Sequence, residues 1–200
     1  MSGLLAALRR VPRWLLFVLA GTLQVGLIAL MVIDRIGILR GGQEITLQTR
    51  PVDPRDFLRG DYVVLAYDIS SMKAGELART PSPGRRADLY VKLAPDEAGF
   101  YRAMSVHREP VPVSGREVLI RGRTTSGTRC GTAEQRLFCE TLQMRYGIEK
   151  YFVPQGEGIA IESSRNEGKV SIVAAVTPSG RAAIKRLLID GKPVYDEPLF

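Results

Sequence analysis

Asp61-Tyr62-Val63-Val64-Leu65-Ala66-Tyr67-Asp68-Ile69, or DYVVLAYDI, is the stretch on which the fold turns. Five of its nine residues are β-branched or aromatic, the side chains that suit a pleated, half-buried surface. Successive side chains of a strand point to opposite faces. Tyr62, Val64 and Ala66 therefore share one face, and Val63, Leu65 and Tyr67 the other. Both faces are largely apolar, so the strand is expected to be central or to join two layers. Gly60 closes the turn before it, and Asp61 is placed to accept hydrogen bonds from neighbouring amides at the strand entry. One step upstream, Asp53-Pro54-Arg55-Asp56 suits a short turn with Asp53 as cap and Pro54 at the first helical position.

Moving outward, the same period of two recurs. Glu44 to Thr49 (EITLQT) alternates polar and apolar residues, as a half-buried strand does. Arg85 to Val91, Phe100 to His107, Glu117 to Thr124, Arg136 to Tyr146 and Ile148 to Val153 read as further strands. Val170 to Val176 and Arg181 to Ile189 flank the turn Thr177-Pro178-Ser179-Gly180, and Asp190-Gly191 makes a tight turn into the tail. Pro154 to Asn166 reads as a helix, and Ala74 to Ala78 as a shorter one. About eight short strands with turns every ten residues or so predict a mainly β domain, an antiparallel sandwich or small barrel with one or two short helices.

Ahead of this domain lies a different pattern. Trp14 to Ile33 (WLLFVLAGTLQVGLIALMVI) is 20 residues without a charge. As a helix it spans roughly 30 Å, the thickness of a bilayer's hydrocarbon core. Arg9, Arg10 and Arg13 precede it, and Asp34 follows directly, a bias that favours an N-terminus in the cytoplasm. The expected organisation is a cytoplasmic segment 1–13, a transmembrane helix 14–33, a linker 34–42 and an extracytoplasmic β domain 43–200. Two competing readings are a signal peptide cleaved near Val18-Leu19-Ala20 and a buried core helix. The apolar run from Val25 through Ile33 argues against cleavage there.

Composition excludes several function classes. Two cysteines and one histidine cannot supply a closed Cys/His zinc site. No phosphate-binding GxxxxGK[ST] loop and no GxSxG elbow occurs. The net charge is +7, but beyond Arg13 there remain 25 basic against 21 acidic residues, or +4. These are scattered, without aromatic interleaving, so nucleic acid is not an expected partner. No cofactor and no metal is expected. Cys130 and Cys139 lie nine residues apart at a candidate hairpin formed by Glu117 to Thr124 and Arg136 to Tyr146. In an oxidising compartment such a pair suits a disulfide, worth about 2–3 kcal/mol by chain entropy.

Gly60 to Tyr67 (GDYVVLAY) resembles the motif of the bacterial GDYXXLXY family, and Asp53 to Arg59 resembles the segment before it. Tyr146 to Gly156 (YGIEKYFVPQG) resembles a second stretch of that family, with Gln155 where glutamate is usual. The resemblance covers nearly the whole chain. It implies a single N-terminal span in the bacterial inner membrane, N-terminus inside, with the remainder in the periplasm. Members are often encoded beside multi-pass membrane proteins, which implies such a partner, and the family defines no reaction.

The expected function is therefore a membrane-anchored accessory or binding module, contacting the bilayer through its helix. Gly60, Asp61, Tyr62, Leu65 and Tyr67 are expected to be structural, and Tyr146, Glu149, Lys150, Tyr151 and Phe152 to form either a recognition surface or a core edge with Glu149 in a salt bridge. The alternative is a hydrolase with a signal-peptidase-like β fold, since the Gly60-Asp61 strand entry resembles that of such folds and Lys92 lies downstream. The serine nucleophile is absent, leaving Thr49 as the only hydroxyl nearby. Asp53, Asp56 and Asp61 suit either a hard cation or ion pairs with Arg55 and Arg59.

Overall fold

The structure, a computed structural model, describes residues 12–51, 62–73, 86–125, 129–133, 136–152 and 158–196. Helix α1 covers Arg13–Gly41. Its side chains from Trp14 to Ile33 are exposed, Phe17 at 78% and Met31 at 74%. A helix apolar all round with no buried stripe is not the core helix of a globular fold. By length and composition it suffices to cross a membrane. The segment 34–42, expected as a linker, is helical through Gly41. Two compact units divide at Gly37 and Ile38, so the last turn of α1 belongs to the β unit.

That turn is anchored by close packing. Ile38 and Leu39 are buried with Ala183. Gly42 donates its amide to the Ile38 carbonyl at 3.0 Å. A Cβ on Gly42 would stand 2.8 Å from both that carbonyl oxygen and the Val176 amide nitrogen. Backbone meets backbone there, so only glycine fits.

The β unit carries thirteen strands among the described residues: β1 Gln43–Arg50, β2 Tyr62–Val64, β3 Ala66–Tyr67, β4 Ser71–Lys73, β5 Asp88–Pro95, β6 Tyr101–His107, β7 Val118–Thr124, β8 Arg129–Ala133, β9 Arg136–Arg145, β10 Lys150–Phe152, β11 Val170–Val176, β12 Ala182–Ile189 and β13 Lys192–Asp196. Helix α2 covers Gly158–Asn166. One sheet runs β13-β12-β11-β1-β3, a second β4-β9-β7-β5-β6 with β8 on β9, and β2 and β10 form a ribbon. A bridge between Thr46 and Phe100 joins β1 to the start of β6. On another edge Arg121 of β7 donates to the Gly180 carbonyl at 2.7 Å. The result is the mainly β fold expected, a nearly closed barrel-like sheet.

Its interior is one apolar cluster, including Ile45, Leu47, Leu65, Tyr67, Val91, Ile120, Leu142 and Ile172. All seven residues of β11 are buried, which explains why Val170-Ser-Ile-Val-Ala-Ala-Val shows no alternation. Val170, Ile172, Ala174 and Val176 face the cluster. β12 does not read as a simple strand because a bulge interrupts it: Val173 pairs with Arg186 and Ala174 with Ile184, leaving Lys185 unmatched. The extra residue resets the alternation, so that Ala182, Ile184, Leu187 and Ile189 all reach the core. Lys185 and Arg186 then both turn outward to Glu44, at 2.6 and 3.5 Å.

Two local expectations need correcting. Asp61–Ile69 is not one strand: it breaks at Leu65 and ends in a 3-10 turn at Asp68–Ser70. The break is a change of partner, since β2 pairs with β10 and β3 with β1. The hairpin containing the cysteines is β8–β9, with β7 meeting β9 only at Arg123–Arg145 and Thr124–Met144. The expected short helix at Ala74 to Ala78 lies outside the described residues.

Candidate functional site

The two sequence stretches singled out above form one construction. Tyr62, Val63 and Val64 pair with Phe152, Tyr151 and Lys150. The Leu65 amide then donates to the Glu149 carbonyl at 2.8 Å. Beyond it the side chains cross over. The Tyr67 hydroxyl donates to the Ile148 carbonyl, and the Tyr146 hydroxyl donates to the Ile69 carbonyl at 2.7 Å. Each stretch thus supplies a buried tyrosine to satisfy a carbonyl of the other. Both pairings are non-local and leave buried carbonyls satisfied, which a leucine or phenylalanine would not do.

Glu149 closes the turn between them. Its carboxylate accepts from the Tyr146 amide and, at 3.0 Å, from the Gly147 amide. Gly147 adopts φ +81°, the left-handed region that the turn needs. With both oxygens so engaged, Glu149 acts as a backbone clamp.

Burial, with the Glu149 charge adding to it, pushes the Tyr67 and Tyr146 hydroxyls well above the usual tyrosine value. The neutral forms are the ones the fold holds. Their stabilisation is complete below about pH 10, where unfolded tyrosine begins to ionise, and is lost as pH rises through the folded values. Alkaline titration of the melting temperature should show a fall above about pH 10 that is shallower in Tyr67→Phe. An identical slope in the variant would remove Tyr67 from this account.

The other candidates separate into core and surface. Leu65 is 1% exposed and Tyr67 fully buried; Tyr146 and Tyr151 are also core residues. The Tyr151 ring meets Tyr195 of β13 edge to face, 5.6 Å between centroids. Lys150 and Phe152, by contrast, face outward, Phe152 at 72% exposure. Gly60 and Asp61 lie outside the described residues, as do Asp53 and Asp56. Tyr62 is placed by its backbone in β2, its side chain outside the described residues. Among the described residues no group of acids, histidines or cysteines is arranged to hold a metal. Cys130 stands directly opposite Cys139 in the β8–β9 register; their side chains lie outside the described residues.

The groups invoked for hydrolysis are engaged elsewhere. Thr49 is 3% exposed and donates its hydroxyl to the Val170 carbonyl at 2.6 Å. Lys92 pairs with Glu117 at 2.7 Å. His107 shares a hydrogen bond with Ser105 at 2.8 Å.

Sequence reasoning missed Arg165. It is fully buried on α2, a helix whose residues otherwise read as mixed and polar. Its Nη1 donates to the Val64 carbonyl at 2.6 Å, and Nε and Nη2 both reach the Asn166 side-chain oxygen. The guanidinium therefore ties α2 to the motif strand. The mixed pattern of the helix carries no signal of it.

A chain of one long apolar helix and a barrel-like β unit, pinned by two interlocked tyrosine stretches, is a mainly β protein with an apolar N-terminal helix. The profile of the family described as GDYXXLXY protein matches residues 24–187, and the chain belongs to that family. No curated protein matches the chain, and no solved structure matches it.

Proposed function

We propose that this protein is a single-span protein of the bacterial inner membrane, N-terminus in the cytoplasm and β unit in the periplasm, where it serves as an accessory binding module for a multi-pass membrane protein. The observation that carries the reading is the outer face of the β2–β10 ribbon. There Phe152 is 72% and Val64 37% exposed beside Lys150. The crossed tyrosine bonds hold that face rigidly. An exposed aromatic on a rigid element is the kind of residue that anchors interfaces. A shared membrane raises the effective concentration of tether and partner, so a small contact suffices.

The test is photo-crosslinking in cells, with a benzophenone side chain at position 152 and, as a control, at Met104, 58% exposed on β6. An adduct with an integral membrane protein at 152 and not at 104 supports the reading. The same adducts from both positions, or none at 152, overturns it. Export has its own readout. Cys130 and Cys139 should resist alkylation in unfolded, unreduced protein and gain two thiols on reduction. Two thiols before reduction would place the β unit in a reducing compartment or leave the cysteines unpaired.

A further inference from the structure

A cleft of about 460 Å³ opens between β7, the β9–β10 turn and the β11–β12 turn, lined by Arg121, Arg123, Arg145 and Arg181. Arg121 and Arg123, two apart on β7, share one partner. Arg121 Nη2 lies 2.6 Å and Arg123 Nε 2.7 Å from the Asp88 carboxylate. Arg145 stands directly across from Arg123 in the β7–β9 pairing and makes no ion pair among the described residues. Two like charges placed opposite each other weaken a sheet. The second carboxylate in the lining, Glu149, is already held by the Tyr146 and Gly147 amides.

The glycines show that the cleft is built. Gly180 adopts φ +83°, and a Cβ there would lie 2.8 Å from the Arg121 amide nitrogen. Glycine lets the turn dock on β7 and deliver Arg181 beside Arg121. Gly122 forms the floor, where a Cβ would come within 2.8 Å of the Tyr146 ring. Arg121 and Arg123 share the single carboxylate of Asp88, and Arg145 adds a further positive charge in a concave site, where the field is focused. Guanidinium forks match phosphate oxygens. Ile38 lines the same cleft. It follows Ile33, the last residue of the uncharged run, by five residues, about 7.5 Å along a helix. The short connection keeps the cleft within reach of the headgroups of a bilayer that α1 would span.

We propose that this cleft binds a phosphate-bearing anion, and that its source is the headgroup of an anionic phospholipid in the leaflet at the C-terminal end of α1. The choice of a lipid source rests on the membrane reading above; the phosphate chemistry does not. The test uses the full chain in neutral detergent, with thermal melting followed by circular dichroism. Phosphatidylglycerol mixed into the micelles should raise the melting temperature, and phosphatidylcholine at the same fraction should not. In the double variant Arg145→Gln/Arg181→Gln the affinity for phosphatidylglycerol should drop roughly tenfold or more. Without lipid, Arg145→Gln alone should melt at or above the wild type, because a repelled charge is gone. A rise with inorganic phosphate and none with phosphatidylglycerol keeps the phosphate site and overturns the lipid source. No rise with either, or an equal rise in the double variant, overturns the site.

Discussion

Leu65→Ala should lower the stability of the β unit by about 2–5 kcal/mol, the cost of losing a buried leucine's apolar contacts and leaving a cavity. For a unit of this size that is a drop in melting temperature on the order of 4–20 °C. Leu65 is 1% exposed and sits in the main cluster. It also occupies the residue at which the chain leaves β10 and joins β1. Collapse around the cavity would have to move two pairings at once, which places the expectation toward the upper end. Val64→Ala, one residue away, removes a side chain that is 37% exposed and should change stability by no more than about 0.5 kcal/mol. Melting curves of the full chain in detergent decide the matter. If both variants melt like the wild type, the motif strand is not in the core and its leucine needs another explanation.

Arg165→Met should cost about 3 kcal/mol. Methionine keeps much of the apolar stem but removes every donor. The Val64 carbonyl would lose a 2.6 Å charge-assisted bond, and a hydrogen bond to a charged group is worth about 1.5–3 kcal/mol. The remaining cost comes from the Asn166 side chain, which loses both of its contacts to the guanidinium. Arg165→Lys keeps the charge without the planar fork and should fall between wild type and Arg165→Met. Circular-dichroism melts of the three proteins give the order. A methionine variant within 1 °C of wild type would show that the buried guanidinium does not secure α2 to β2.

Both residues show where local pattern stops being informative. The leucine was legible: alternation put Val63, Leu65 and Tyr67 on one face, and all three are buried. The arginine was not, because a mixed nine-residue helix carries no signal for which polar side chain turns inward. The recognition stretch divided in the same way. Tyr146, Tyr151 and Phe152 look alike in sequence. The ribbon's register buries Tyr151 and exposes Phe152, while Tyr146 is buried from the turn before the ribbon, and register depends on the pairing partner.

The amino-acid sequence by itself determined the uncharged helix, the β class of the chain beyond that helix, the turns at Thr177–Gly180 and Asp190–Gly191, and the family. Each of these rests on runs, periods or turn residues within a few positions of one another, where the physics is local. Only the tertiary structure decided the change of partner at Leu65, the bulge that sends Lys185 and Arg186 outward together, and the burial of Arg165. It alone gathered Arg121, Arg123, Arg145 and Arg181 around one cleft. Those four residues span sixty positions of sequence. What brings them together is strand pairing and the close approach of Gly180 to β7, contacts between segments that no local period encodes.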